Sequence, residues 1–204
     1  MAIIVLHNND SQGNRAPAAF GTITPHVFRI HFNGNRINPL SITTVRTQIT
    51  TIPGPHIVIW VGHGDENQAH KGHPVTEKLP GQKSPLRINS NDLITLFSMC
   101  NPKRLYIFSC MGMRWVEREY NRFYRIMLHT PTTVKIYASS KRLLGGALSP
   151  VADAINGGQI NPPGAFGHGN QFEETAIYGE THIEWRQRVA PQRSLSNRYH
   201  EAPF

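Results

Sequence analysis

The run His56-Ile57-Val58-Ile59-Trp60-Val61 is the strongest constraint on what this chain can fold into. It is almost wholly apolar and has no polar face, so it does not suit a strand with one side in water. It suits a strand covered on both faces, inside a parallel sheet with helices above and below. Leu105-Tyr106-Ile107-Phe108 repeats the pattern. Both runs stop abruptly: the first in Gly62-His63-Gly64-Asp65, the second in Ser109-Cys110-Met111-Gly112.

The rest of the chain supplies elements to build around these two strands. Ala2–Leu6, His26–Phe32 and Val134–Ala138 read as further strands. Ser41 is placed to cap a helix over Ile42–Thr50. Asn89 or Ser90 caps another, whose apolar stripe is Leu93, Leu96 and Phe97. An amphipathic helix is expected over Trp115–Leu128. A last helix falls within Leu143–Ile155, with Pro150 in its first turn or at a break. Asn8–Pro17 and Glu66–Arg87 read as polar loops, and Gly157–Asn170 as a Gly/Pro-rich one. Glu173–Trp185 reads as a terminal hairpin or edge strands. This alternation predicts an α/β fold with three layers, a mostly parallel central sheet with helices on both faces. At 204 residues the chain suits one domain, 1–188, followed by a basic tail, 189–204.

Composition narrows the function classes. The formal net charge is +8, which favours an anionic partner such as an inositol phosphate, acidic lipid, acidic peptide or nucleic acid. No helix-turn-helix, zinc-finger or RNA-binding signature is present, so nucleic acid is not the expected partner. No apolar run approaches the roughly 20 residues that span a bilayer. Met1–Leu6 has no basic lead-in and runs straight into His7-Asn8-Asn9-Asp10, so it reads as a first strand and not as a secretory signal. Cys100 and Cys110 are the only cysteines. That is no disulfide framework, and it fits a reducing compartment.

His63 and Cys110 carry the chemistry by their shared context. Each follows a buried strand at once and has small residues beside it. Neighbouring parallel strands bring both side chains to the same sheet edge, where α/β folds gather their ligands. A cysteine near neutral pH is mostly thiol, and the nucleophile is the thiolate. An adjacent imidazole takes its proton and later protonates a leaving amine. Gly64 leaves room for substrate backbone. The N–H groups of Gly64 and Cys110 are placed to hold a tetrahedral oxyanion, and the helix that follows turns its positive end towards the thiolate. Two other readings compete. His63, Asp65, His70 and His73 form a His-x-Asp and His-x-x-His spacing with zinc-ligand residue types, which would make a zinc-dependent hydrolase. The other is a catalytically inactive binding module of the same fold, or a basic polyanion-binding protein. His168, also flanked by glycines, follows no strand and reads as loop.

Val58-Ile59-Trp60-Val61-Gly62-His63-Gly64 and Tyr106-Ile107-Phe108-Ser109-Cys110 resemble the paired motifs of the caspase-like (clan CD) cysteine peptidases. That group includes caspases, legumains, gingipains, separases, CHAT domains and the self-processing domains of large bacterial toxins. The resemblance implies a caspase-like three-layer sandwich and a cysteine endopeptidase acting on protein or peptide substrates. His63 would be the base, Cys110 the nucleophile and Gly64 part of the oxyanion hole, with no cofactor needed for the chemistry. Ser109 stands where many members carry alanine, glycine or glutamine. The family's P1 pocket is shaped by the loop after the first strand and by the segment after the strand that follows the cysteine. Here these hold Arg15 and Ser139-Ser140-Lys141-Arg142, which implies an acidic P1 side chain held by paired hydrogen bonds. Toxin-type members are switched on by inositol hexakisphosphate, so the basic surface makes that or another polyanion the expected activator. By the same analogy, the expected setting is cytoplasmic, or the cytosol of a host cell into which an effector or toxin is delivered.

Overall fold

The computed structural model describes residues 1–127, 133–139, 148–158 and 172–177. Its centre is a six-stranded sheet. The strands are β1 (Ile3–His7), β2 (Val27–Arg29), β5 (His56–Val61), β6 (Pro102–Phe108), β7 (Val134–Ser139) and β8 (Phe172–Ile177). Their order across the sheet is β2-β1-β5-β6-β7-β8. The first five are parallel, and β8 closes one edge antiparallel to β7. A small antiparallel pair, β3 (Phe32–Asn33) and β4 (Arg36–Ile37), lies apart from it. The three-layer α/β architecture with a mostly parallel sheet is therefore the one the chain adopts.

Alternation along each central strand explains why both runs are apolar throughout. Ile4, Leu6, Val58, Trp60, Leu105, Ile107 and Ile136 face one side. They pack with Val45 and Ile49 of α2 (Pro39–Ile49), Leu93 and Phe97 of α3 (Ser90–Met99), Trp115 of α4 (Gly112–Arg118) and Phe123 of α5 (Tyr120–Met127). Val5, Ile57, Ile59, Val61, Tyr106, Phe108 and Tyr137 face the other side. There they meet Phe20 of α1 (Ala16–Phe20) and Val151 and Ile155 of α6 (Leu148–Asn156). Each such side chain contributes about 1.5–3 kcal/mol on burial, so the sheet ends are held by the most stable part of the molecule.

Several boundaries differ from the sequence reading, for local reasons. Helix α2 starts at Pro39, because the Asn38 side chain accepts the Leu40 N–H and proline suits the first helical position. Ser41 is not the cap; its hydroxyl accepts the His31 N–H. The expected strand over His26–Phe32 is the short β2 followed by the β3–β4 turn around Gly34, whose φ is +62°. The helix expected over Trp115–Leu128 is two helices that break at Glu119. The Glu119 N–H closes α4 on the Trp115 carbonyl, and its own carbonyl receives the Arg122 and Phe123 N–H groups. Glu66–Arg87 folds back on itself through bridges Gly64–Pro74 and Val75–Arg87. The 188/189 boundary, Lys141-Arg142 and the basic tail 189–204 lie outside the described residues.

Burial sets an acid limit on this fold. His7, His56 and His73 are all held below the ordinary imidazole value, chiefly because burial penalises their charged forms. The unfolded chain therefore takes up protons before the folded one does, starting near pH 6.5. Stability from these groups is complete above that value and is lost as pH falls towards their lowered folded values. Thermal melts should show Tm dropping by several degrees from pH 7.5 to 5. A flat Tm over that range would contradict the assignment.

Candidate active site

The carboxyl ends of β1, β5 and β6 lie side by side, and the chain turns sharply after each. Val61 is paired with Phe108 at the last register position of β5 and β6. Gly62 donates its N–H to the Phe108 carbonyl at 3.2 Å, and Asn8 donates to Val61 at 3.0 Å. Leaving β1, the chain runs to β2 on one side, then returns to β5 on the other. The β1–β5 junction is thus the point where the winding reverses, the usual place for a ligand crevice in such sheets.

A cleft of about 890 Å³ opens there, and His63, Gly64 and Cys110 all line it. His63 and Cys110 are each half-buried, and Cys110 is not in a disulfide. Gly64 lies against the backbone of Cys110: a Cβ at this position would collide with the Cys110 carbonyl oxygen. Among the described residues, no backbone carbonyl takes the Gly64 N–H. The turn after Cys110 is tight. Met111 adopts φ +54°, in the left-handed region, and α4 begins at Gly112. The other cysteine, Cys100, is fully buried in the core, and burial pushes its thiol up to about 12.

The sequence reading missed Asp10 and Ser11, in the loop after β1. Asp10 is buried and accepts hydrogen bonds from its own loop and from His63. One carboxylate oxygen takes the N–H groups of Gln12 (3.0 Å) and Gly13 (2.6 Å). The other takes the N–H of His63 at 2.9 Å and the Asn8 side-chain amide at 2.9 Å. Asp10 thereby ties the β1 loop to the backbone of His63. Its neighbour Ser11 shares a hydrogen bond with His63 Nε2 at 3.0 Å. The signal was available in Asn8-Asn9-Asp10-Ser11, a polar stop after a buried strand like the other two. What the residues alone did not give was the position of β1 beside β5.

The opposite wall is the 64–87 segment. Asn8 Nδ2 donates to the Val75 carbonyl at 2.7 Å, and Asn9 Nδ2 to Glu77 at 2.6 Å. Asp65 is paired with Arg87 at 2.8 Å. Burial works against the charge of Asp65, but bonds from Arg87 and the Asn67 N–H outweigh it and leave the carboxyl below its ordinary value. The zinc-ligand spacing is not gathered into one site. His73 Nε2 is hydrogen-bonded to the Ile88 carbonyl at 2.7 Å, while Asp65 faces Arg87. Among the described residues no three His, Cys, Asp or Glu side chains are placed to hold a metal ion.

The residues expected at the P1 pocket are placed less simply. Arg15 is exposed at the start of α1 and is not among the described residues lining the cleft. Ser139 is fully buried at the end of β7. Ser140, Lys141 and Arg142 lie outside the described residues. The described cations of the cleft wall are Lys78 and Arg87, the latter tied to Asp65.

Ser109 is fully buried, and its hydroxyl has no hydrogen-bond partner among the described residues. A buried hydroxyl left unpaired is a net cost. Ser109→Ala should therefore keep or raise stability, by up to about 1 kcal/mol. A Tm lowered by several degrees would show that the hydroxyl has a role the geometry does not reveal.

No protein-family model matches the chain, and no curated protein sequence matches it. Among solved structures, it is similar to a secreted C11 cysteine protease from Bacteroides thetaiotaomicron in complex with an irreversible peptide inhibitor. The identity is 13% and the TM-score 0.43, over 76% of this chain and 53% of that one. The chain thus spans about half the length of that protease. A likeness of this strength transfers no residue role. Among the described residues no helix is long and apolar enough to cross a membrane.

Proposed function

We propose that the protein is a cysteine endopeptidase of the caspase-like (clan CD) type, with His63 as base and Cys110 as nucleophile. One observation carries the reading: the two residues leave adjacent parallel strands and line one cleft, with Gly64 packed on the Cys110 backbone between them. The thiol loses its proton to the imidazole, and the thiolate attacks the scissile carbonyl. The Gly64 and Cys110 N–H groups hold the oxyanion. The imidazolium then protonates the leaving amine, and water hydrolyses the acyl-enzyme. The reading needs no metal or organic cofactor. A polyanion such as inositol hexakisphosphate is proposed as an activator on the strength of the net charge of +8. An effector or toxin role in a host cell rests on the motif resemblance alone.

The experiment is to incubate the protein with a cell lysate, with and without inositol hexakisphosphate, and to identify new protein termini. Termini that appear with the wild type and not with Cys110→Ala support the reading. Identical terminus sets in both contradict it.

A further inference from the structure

Ser11 forms no part of the dyad, yet it is hydrogen-bonded to the imidazole, through Nε2. We infer that Ser11 is a positioning residue for His63, supporting both its neutral and its protonated form; this rests on His63 being the base.

The argument is one of hydrogen-bond chemistry. A neutral imidazole has one donor and one acceptor nitrogen, and the imidazolium has two donors. A carbonyl or carboxylate opposite Nε2 can only accept, and so fixes that nitrogen as a donor in every state. A hydroxyl can donate to Nε2 when it is bare and accept from it when it is protonated. For the thiol's proton to arrive on the other nitrogen, Nε2 must already carry one, so Ser11 accepts from Nε2 before and after the transfer and can donate to it only in the other neutral tautomer.

Ser11 is exposed, and an exposed hydroxyl on a mobile loop would not hold a ring in place. The loop is built to prevent that. Asp10 binds the N–H groups of Gln12 and Gly13 on one side of Ser11 and that of His63 on the other. At Gly13 a Cβ would collide with the Asn8 carbonyl oxygen, so the turn is as tight as the backbone permits. The backbone next to Ser11 and the backbone of His63 are thus fixed to the same carboxylate. The other charged groups of the cleft are Asp65, Glu66, Glu77, Lys78 and Arg87. Asp65 is tied to Arg87 and Glu77 to Asn9, and neither is bonded to the ring.

The test measures alkylation of Cys110 by iodoacetamide from pH 5 to 9 in the full chain, with Ser11→Ala, Ser11→Thr, Ser11→Asp and His63→Ala. Ser11→Ala should slow the reaction about three- to tenfold near neutral pH, the size of one hydrogen bond, with an unchanged Tm. Ser11→Thr should restore it. Ser11→Asp, which can only accept, should hold the imidazolium to higher pH and move the upper limb of the profile upwards. Wild-type rates and profile in Ser11→Ala, alongside a slowed His63→Ala, overturn the role of Ser11 and leave the dyad standing. A His63→Ala variant that reacts at the wild-type rate overturns both.

Discussion

Cys110→Ala should lower peptide cleavage by at least about 10⁴-fold, because removing a covalent nucleophile leaves only binding and oxyanion stabilisation. His63→Ala should cost a comparable factor, since the two act as one unit and their losses do not add. Neither change should unfold the protein. Both side chains are half-buried at the sheet edge, while the packing that holds β5 and β6 lies deeper, in Trp60, Ile107 and their neighbours. The measurement is turnover of a cleaved peptide, once identified, together with a thermal melt. Full activity in either variant would remove the dyad from the mechanism. A collapse of Tm would make the loss uninterpretable, so the melt belongs to the test.

The second large effect is expected at Asp10. Asn in its place keeps the shape but turns one acceptor oxygen into an NH₂ that faces backbone donors. The N–H groups of Gln12, Gly13 and His63 and the Asn8 amide all now point at the carboxylate. Hydrogen bonds to a buried charged group are worth about 1.5–3 kcal/mol each, and an orphaned donor adds its own penalty. Asp10→Asn should therefore destabilise the protein by about 2–4 kcal/mol, a Tm decrease of roughly 5–15 °C. Cleavage should fall further than the loss of folded protein explains, by about 10–100-fold, because His63 loses the bond that sets its backbone. A variant with wild-type Tm and rate would show that the β1 loop is held by something else.

How much of this was legible in the residues follows from what each signal depends on. The two apolar runs announced strands covered on both faces, and β5 and β6 fill that description with their side chains shared between two cores. Their abrupt ends placed His63, Gly64 and Cys110 at one edge, which needs only that the strands be parallel neighbours. Asp10 and Ser11 were not legible in the same way. Their part depends on β1 lying next to β5, a long-range pairing that no local pattern reports. The break at Glu119 was hidden because Trp115, Tyr120, Phe123 and Met127 keep an amphipathic spacing straight across it, and all four are buried. The zinc-like spacing of His63, Asp65, His70 and His73, the weaker rival reading, shows the opposite limit. Closeness along the chain counted for little once the 64–87 segment folded back and gave His73 and Asp65 other partners.

The most direct measurement is competitive alkylation of the two cysteines near neutral pH, read by mass spectrometry in wild type and His63→Ala. Cys100 is a built-in reference, since it is fully buried with its thiol pushed up to about 12. The dyad predicts fast, selective labelling of Cys110, slowed roughly 10–30-fold by His63→Ala as the thiolate fraction falls to that of an unassisted cysteine. Labelling of Cys110 at the same rate in both proteins would contradict it.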